Sequence, residues 1–289
     1  MITIENKEGI DFLETVENDT IDLVLTDPPY VISKETGMDK WVYHVEEQNK
    51  TNAKDIKTPE EFIDHKTLEE WHQFFRTAET HVKHWSKKYH TMKQDYLKYG
   101  SIYGEKYARV TDFGDWDKNF TLQKLDLFVS HFHRVLRKGG TAIIFFDWKK
   151  ISHLIEILES KGFKQIRKID WNKTNPQPLN SGVNYLTNAQ ECAISAVKGA
   201  KPTFNSNYDK GAYEFPLQGG KNRVHPTQKS LPLFEALVEK HSNPGDIILD
   251  PFLGAGTTAV ATKKLNRNFV GCEVVEEYFK KSLDWVSKV

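Results

Sequence analysis

The chain has 289 residues, enough for one large α/β domain, or a domain with a smaller lobe, around a substantial core. Its 40 Lys and Arg residues balance 40 Asp and Glu, so net charge neither marks nor excludes a nucleic-acid partner. The two cysteines, Cys192 and Cys272, sit in apolar strand-like runs, which favours buried thiols over a disulfide or metal ligands. No signal-peptide pattern opens the sequence and no apolar run is long enough to span a membrane, so a soluble, cytoplasmic, metal-free protein is expected.

In chain order, residues 2–5 read as a short strand, and Ile10, Leu13 and Val16 have helical spacing. The apolar run Ile21-Asp22-Leu23-Val24-Leu25 reads as a buried parallel strand. It runs into Thr26-Asp27-Pro28-Pro29-Tyr30. Two consecutive prolines force the chain out of the strand along an extended path. Asp27 therefore stands at a strand's carboxyl end, where open α/β sheets place their ligands. A carboxylate at Asp27, the carbonyl of Pro28 and the ring of Tyr30, on a path set by Pro29, form a group able to accept hydrogen bonds from an amine beside a planar ring. A rigid surface loop is the competing reading of the same residues.

Residues 33–67 are polar and without a clean period, compatible with a lid or a loop. A helical pattern follows from Leu68 through Phe75. Between His81 and Val110, Lys83, Lys87, Lys88, Lys93, Lys98, Lys106 and Arg109 are interleaved with Trp85, Tyr89, Tyr96, Tyr99, Tyr103 and Tyr107. Cations mixed with rings suit phosphate contacts beside a platform for bases; an insertion that packs its aromatics inward is the alternative.

Leu122, Leu125, Val129, Phe132 and Leu136 predict an amphipathic helix stopped by Lys138-Gly139-Gly140. A strand at 141–146, a helix over 151–158, and strands at 163–169 and 191–197 follow. The repeated strand–helix order indicates a doubly wound α/β sheet. Residues 171–178 read as a shaped loop beyond a strand end, placing Trp171 and Lys173 as nucleic-acid contacts, and 199–223 read as loop. Pro232 fits the start of a helix with Phe234, Leu237 and Val238 inward.

Ile247-Ile248-Leu249 reads as a strand leading into Asp250-Pro251-Phe252-Leu253-Gly254-Ala255-Gly256-Thr257-Thr258 and a helix. This is a nucleotide-type cradle, but it lacks the third glycine of the dinucleotide fingerprint and the lysine of a phosphate-binding loop. Glu273 ends the next strand, where a carboxylate accepts from ribose hydroxyls. An adenosine without phosphates fits best, and S-adenosylmethionine is such a ligand.

The order Asp27-Pro28-Pro29-Tyr30 first and Asp250 to Gly256 last resembles the permuted, beta-type amino-methyltransferases of DNA, which belong to restriction–modification systems or act alone. His225-Pro226-Thr227-Gln228-Lys229 is similar to that family's element ahead of the cofactor strand, although Ser230 stands where the family usually has proline. The resemblance covers most of the chain outside 31–110. It implies a Rossmann-like, circularly permuted, mostly parallel sheet with one antiparallel strand. It also implies a catalytic domain of residues 1–30 and 111–289, an inserted DNA-contacting lid or recognition region at 31–110, and a loop at 199–223 that assists target recognition.

The activity implied is methyl transfer from S-adenosylmethionine to adenine N6 of DNA, on a base flipped from the duplex or presented in single strand. Asp27, Pro28, Pro29 and Tyr30 are the implied catalytic group. Asp11, Thr227, Lys229, Asp250, Pro251, Phe252, Gly254, Gly256, Thr257, Thr258 and Glu273 are the implied cofactor residues. Asp11 is assigned to the adenine and Thr227 and Lys229 to the methionine end. Cytosine N4 is the alternative target, and a non-catalytic nucleic-acid or adenosine-binding module is the alternative of another class. A homodimer is compatible with the family, and a cognate restriction endonuclease is not physically required.

Overall fold

A computed structural model describes residues 1–30, 66–82, 88–99, 102, 120–176, 185–186, 189–218 and 228–289, with backbone alone at 77–82 and 99. Contacts divide the chain into two units, Met1–Tyr30 with Phe120–Val289, and Val31–Asn119.

The larger unit opens with β1 (Ile2–Glu5), α1 (Gly9–Thr15) and β2 (Ile21–Thr26). The smaller contributes α2 (Leu68–Val82) and α3 (Tyr89–Tyr99). The larger unit resumes with α4 (Leu122–Val135), β3 (Leu136–Phe146), α5 (Ile151–Ser160), β4 (Lys164–Lys173), β5 (Gln190–Val197) and β6 (Ala212–Phe215). It ends with α6 (Leu231–His241), β7 (Ile247–Asp250), α7 (Thr257–Lys264), β8 (Asn268–Cys272) and α8 (Glu276–Ser287).

One eight-stranded sheet runs in the order β1-β8-β7-β2-β3-β5-β4-β6. Every pairing is parallel except the two made by β5, so β5 is the single antiparallel strand. The last two strands of the chain lie between the first two, which is the permuted arrangement the motif order implies. Strands buried on both faces explain the near-continuous apolar runs. On one face Leu23, Leu25, Ile143, Phe145, Ile248 and Phe269 pack with Leu233, Phe234 and Leu237 of α6, Val260 of α7 and Val286 of α8. The alternating residues face the other way, where α1, α4 and α5 pack in series.

The Lys138-Gly139-Gly140 segment does not stop a helix. α4 ends at Val135, and the glycines lie inside β3, where the pairing with β2 shifts between Ile21↔Leu136 and Leu23↔Thr141. Gly139 takes φ +81°, and a Cβ there would approach the Lys201 carbonyl to 2.6 Å, so the bulge needs glycine. Residues 199–223 are not wholly loop, because β6 pairs in parallel with β4 at the sheet edge.

That unforeseen strand extends β4 to Lys173, so Trp171 and Lys173 belong to a strand rather than a loop. Trp171 is 1% exposed and its Nε1–H donates to the Phe215 carbonyl at 2.8 Å. Lys173 is buried and ion-paired to Glu191. Neither side chain presents a surface to DNA.

In the smaller unit, Trp71 is fully buried and packs with Met92 and Ile102. Its Nε1–H donates to the Tyr89 hydroxyl at 3.1 Å, and Phe74 stacks on Tyr96 at 4.6 Å. Tyr96 thus contributes to a local aromatic core, and exposed Tyr89 lies at its rim. Lys88 and Lys98 are exposed and Lys93 is half-buried. Lys83, Lys87, Lys106 and Arg109 lie outside the described residues, as does Thr227.

Replacing Trp171 by Ala should lower stability by about 3–5 kcal/mol, the range for emptying an aromatic core site. Chemical denaturation checks this, and an unchanged midpoint would reject the burial.

Candidate active site

Two strand ends meet at the carboxyl edge of the sheet. β2 pairs with β7 through Leu23↔Ile248 and Val24↔Leu249, which sets Thr26 and Asp27 beside Asp250. The Thr26 hydroxyl donates to Asp250 Oδ1 at 2.7 Å, a fully buried bond that joins the two motifs directly. Asp250 also accepts from the Phe252 N–H (3.0 Å) and the Thr258 hydroxyl (2.5 Å). Its carboxylate therefore shapes the glycine turn from inside. Burial pushes the Asp250 carboxyl up to about 6 against these three donors, with the Asp27 charge adding to the rise.

The turn itself needs its glycines. Gly256 takes φ +96° at the start of α7, where a Cβ would lie 3.0 Å from Ser282 Cβ. Gly254 takes φ +53°, has open space where a Cβ would project, and donates its N–H to Glu273 Oε2 at 2.7 Å. Glu273, buried at the end of β8, also accepts from the Val275 N–H at 2.8 Å. Burial raises its carboxyl despite these backbone donors. Each Glu273 oxygen keeps a further lone pair for a ribose hydroxyl, and the turn carries no cation that would call for phosphate. This acceptor pair therefore fits the ribose hydroxyls of a phosphate-free adenosine. Pro251 and Thr257 are buried, and half-buried Phe252 packs on Phe128 at 4.5 Å. Asp11 is exposed in the first turn of α1, two residues after Gly9, which lies against Phe128 and the Pro251 carbonyl.

Across the same edge, Asp27 is half-buried between buried Pro28 and fully buried Thr26. The Tyr30 hydroxyl donates to Asp27 Oδ1 at 2.6 Å, and Lys229 Nζ lies 2.6 Å from Asp27 Oδ2. Lys229 also donates to the Tyr30 hydroxyl at 3.1 Å and lies 5.3 Å from the ring centroid. The Tyr30 ring meets Phe146 edge-on at 6.0 Å. Burial works against the Lys229 charge, but Asp27 and Glu191 outweigh it and hold the ammonium above its ordinary range. Burial, with the Asp27 charge, keeps Tyr30 a neutral donor. Asp27 is raised by burial, then by Glu191, against the pull of Lys229 and Tyr30.

Lys229 thus contacts the Asp27 corner, a connection its position 199 residues from Tyr30 did not reveal. Glu191 was missed. It is the second residue of β5, and only the antiparallel course of that strand brings its start to the ligand edge. Trp148, 71% exposed just past β3, also escaped notice; Lys149 Nζ lies 5.8 Å from its ring.

The Asp250 carboxyl, at 3.8 unfolded and about 6 folded, binds protons more tightly in the folded state. Its stabilisation is complete below pH 4 and lost as pH rises through 6, a swing of about 3 kcal/mol. Asp250→Asn should flatten that fall while keeping an acceptor for Thr26. Denaturation at pH 4 and pH 7 checks it; parallel curves for the two proteins would reject it.

A family model described as DNA methylase, covering N6 and N4 methyltransferases, matches residues 21–284. The Type II methyltransferase M2.DpnII of Streptococcus pneumoniae is 35% identical over 191 residues, 58% of this chain and 70% of that protein. The Type II methyltransferase M.HinfI of Haemophilus influenzae is 25% identical over 295 aligned residues, covering 96% of this chain and 66% of that protein. A solved structure of an M1.HpyAVI–SAM complex superposes with a TM-score of 0.59 at 24% identity, spanning 99% of this chain and 100% of that one, and so shares the fold. With its strand-end acceptor corner and glycine turn on one edge, the chain belongs to the N6/N4 DNA methylase family and is an S-adenosylmethionine-dependent DNA methyltransferase.

Proposed function

We propose that the chain methylates the N6 amine of adenine in DNA, on a base turned out of the duplex or presented in single strand. The Asp27 carboxylate, held one residue beyond the Thr26–Asp250 bond, carries this reading. The adenine amine is a poor nucleophile because its lone pair is shared with the ring. Asp27 and the Pro28 carbonyl take its two hydrogens and favour a tetrahedral nitrogen. Each Asp27 oxygen holds one donor and retains a lone pair for the amine.

Bound S-adenosylmethionine supplies an activated methyl group on a sulfonium. On accepting that methyl, the amine nitrogen would have one proton to release. Asp27 attracts that proton only as it becomes acidic, so positioning and electrostatics dominate. Tyr30 offers its ring to the base and keeps Asp27 aligned through its hydroxyl. Glu273 and the turn at 250–258 hold the adenosine, with Asp11 toward the adenine. The family resemblance assigns Thr227 and Lys229 to the methionine end, and Lys229 stands beside Asp27. Thiolate-dependent carbon methylation does not suit Cys192 or Cys272, whose thiols burial raises.

The exposed ring of Trp148 beside Lys149, on the same sheet edge, supports DNA contact there. The insertion at 31–110, with Lys88 and Lys98 exposed, acts as a DNA-contacting lid or recognition region, assisted by residues 199–223. Lys83, Lys87, Lys93, Lys106 and Arg109 are read as DNA-contacting cations on composition. The enzyme works in the cytoplasm, with no physical need for a restriction endonuclease. Among the described residues, no helix is long and apolar enough to cross a membrane.

Asp27→Ala should cut methyl transfer by about 10²–10³-fold or more while S-adenosylmethionine affinity stays within a few-fold. Transfer of labelled methyl groups, with digestion of the DNA to nucleosides, measures the rate and identifies the base. Full activity in the variant rejects the role of Asp27, and N4-methylcytosine as the product replaces adenine as the target.

A further inference from the structure

The ammonium of Lys229 has three N–H donors and no more. Three oxygens lie around it: Asp27 Oδ2 at 2.6 Å and Glu191 Oε2 at 3.0 Å in ion pairs, and the Tyr30 hydroxyl, which accepts a hydrogen bond from it at 3.1 Å. The second of these is anchored in turn, because Lys173 donates to Glu191 Oε1 from a side chain only 3% exposed. Four charges therefore alternate across the edge, Asp27–Lys229–Glu191–Lys173, from the end of β2 past the entry to α6 and on to β5 and β4. Their sum is zero, which is what allows them to be buried.

The other ionisable groups around Asp27 are engaged elsewhere. Asp250 on β7 accepts from Thr26, Thr258 and Phe252, and the Cys192 thiol on β5 donates to the Phe146 carbonyl at 3.5 Å. Tyr30 is a neutral donor to Asp27. Among the described residues, Glu191 is thus the second carboxylate on Lys229. With Asp27 as its sole carboxylate partner, the ammonium's full charge would fall on Asp27 and weaken it as an acceptor for the amine.

We infer that Glu191, anchored by Lys173, is a positioning residue that shares the Lys229 ammonium with Asp27 and so keeps the Asp27 carboxylate available to the target amine. This rests on the reading of Asp27 as the amine's acceptor. Glu191 acts through Lys229, and its negative charge also favours protonation of Asp27.

The test compares wild type, Glu191→Gln, Glu191→Asp and Lys173→Met in methyl transfer to DNA between pH 5 and 9, with S-adenosylmethionine affinity measured by calorimetry. Activity needs ionised Asp27, so it falls as pH drops through the Asp27 pKa. Glu191→Gln should lower kcat at least about tenfold at neutral pH, with cofactor affinity within about threefold. It should also move the acidic limb of kcat/KM about half a unit or more to lower pH, because a negative charge near Asp27 has gone.

Glu191→Asp keeps the charge and should restore the limb and part of the rate. Lys173→Met lets Glu191 draw Lys229 from Asp27, so its limb should move to higher pH; this variant serves where Glu191→Gln gives no cooperative melt. An unchanged rate, or a slowed rate with an unmoved limb, overturns the proposal. The base found in the wild-type product tests the adenine reading separately, because the variant ratios are read on whichever amine carries the methyl.

Discussion

The pairing of β2 with β7, closed by the bond from Thr26 to Asp250, is the constraint on which the rest of this site depends. The two partners are 224 residues apart, yet the bond is buried and direct. Thr26 is the residue before Asp27, and Asp250 opens the glycine turn. One hydrogen bond therefore fixes the distance between the amine-accepting corner and the cofactor cradle. Because the same carboxylate also holds Phe252 and Thr258, any shift of the turn must break several bonds at once. A methyl transfer that works by alignment has use for that rigidity.

Four carboxylates, those of Asp27, Glu191, Asp250 and Glu273, occupy this region of the sheet edge, and they are stabilised in two different ways. Asp250 and Glu273 are held by hydroxyls and backbone N–H groups, neutral donors that leave the charge uncancelled. Asp27 and Glu191 share buried Lys229, and Glu191 pairs with buried Lys173 as well. The edge as a whole is rich in acceptors and has little surplus positive charge. That suits a neutral amine and a cationic sulfonium, and it is a poor setting for a polyphosphate. The family membership and the electrostatics thus point to the same class of ligand.

The second unit is built on different principles. Trp71 gathers Phe74, Phe75 and Tyr96 into a small aromatic core, so Tyr96, one of the rings that alternate with lysines in sequence, turns inward. Lys88 and Lys98 stay outside. A composition suited to nucleic acid can therefore serve folding with its rings and solvent contact with its cations.

Much was legible in the chain itself. The apolar runs ending at Asp27, Asp250 and Glu273 marked strand ends, since proline pairs and positive-φ glycines leave a ladder only in restricted ways. The period of α4 and α6 identified their buried faces. These are local properties, decided by neighbours a few residues away. Tertiary structure alone decided that β6 pairs beside β4 and buries Trp171, that Gly139-Gly140 form a bulge rather than a helix stop, and that Lys229 joins Asp27 and Glu191. Each of these depends on which distant strand lies alongside. A residue's sequence neighbours carry no record of a partner that only the closed sheet supplies.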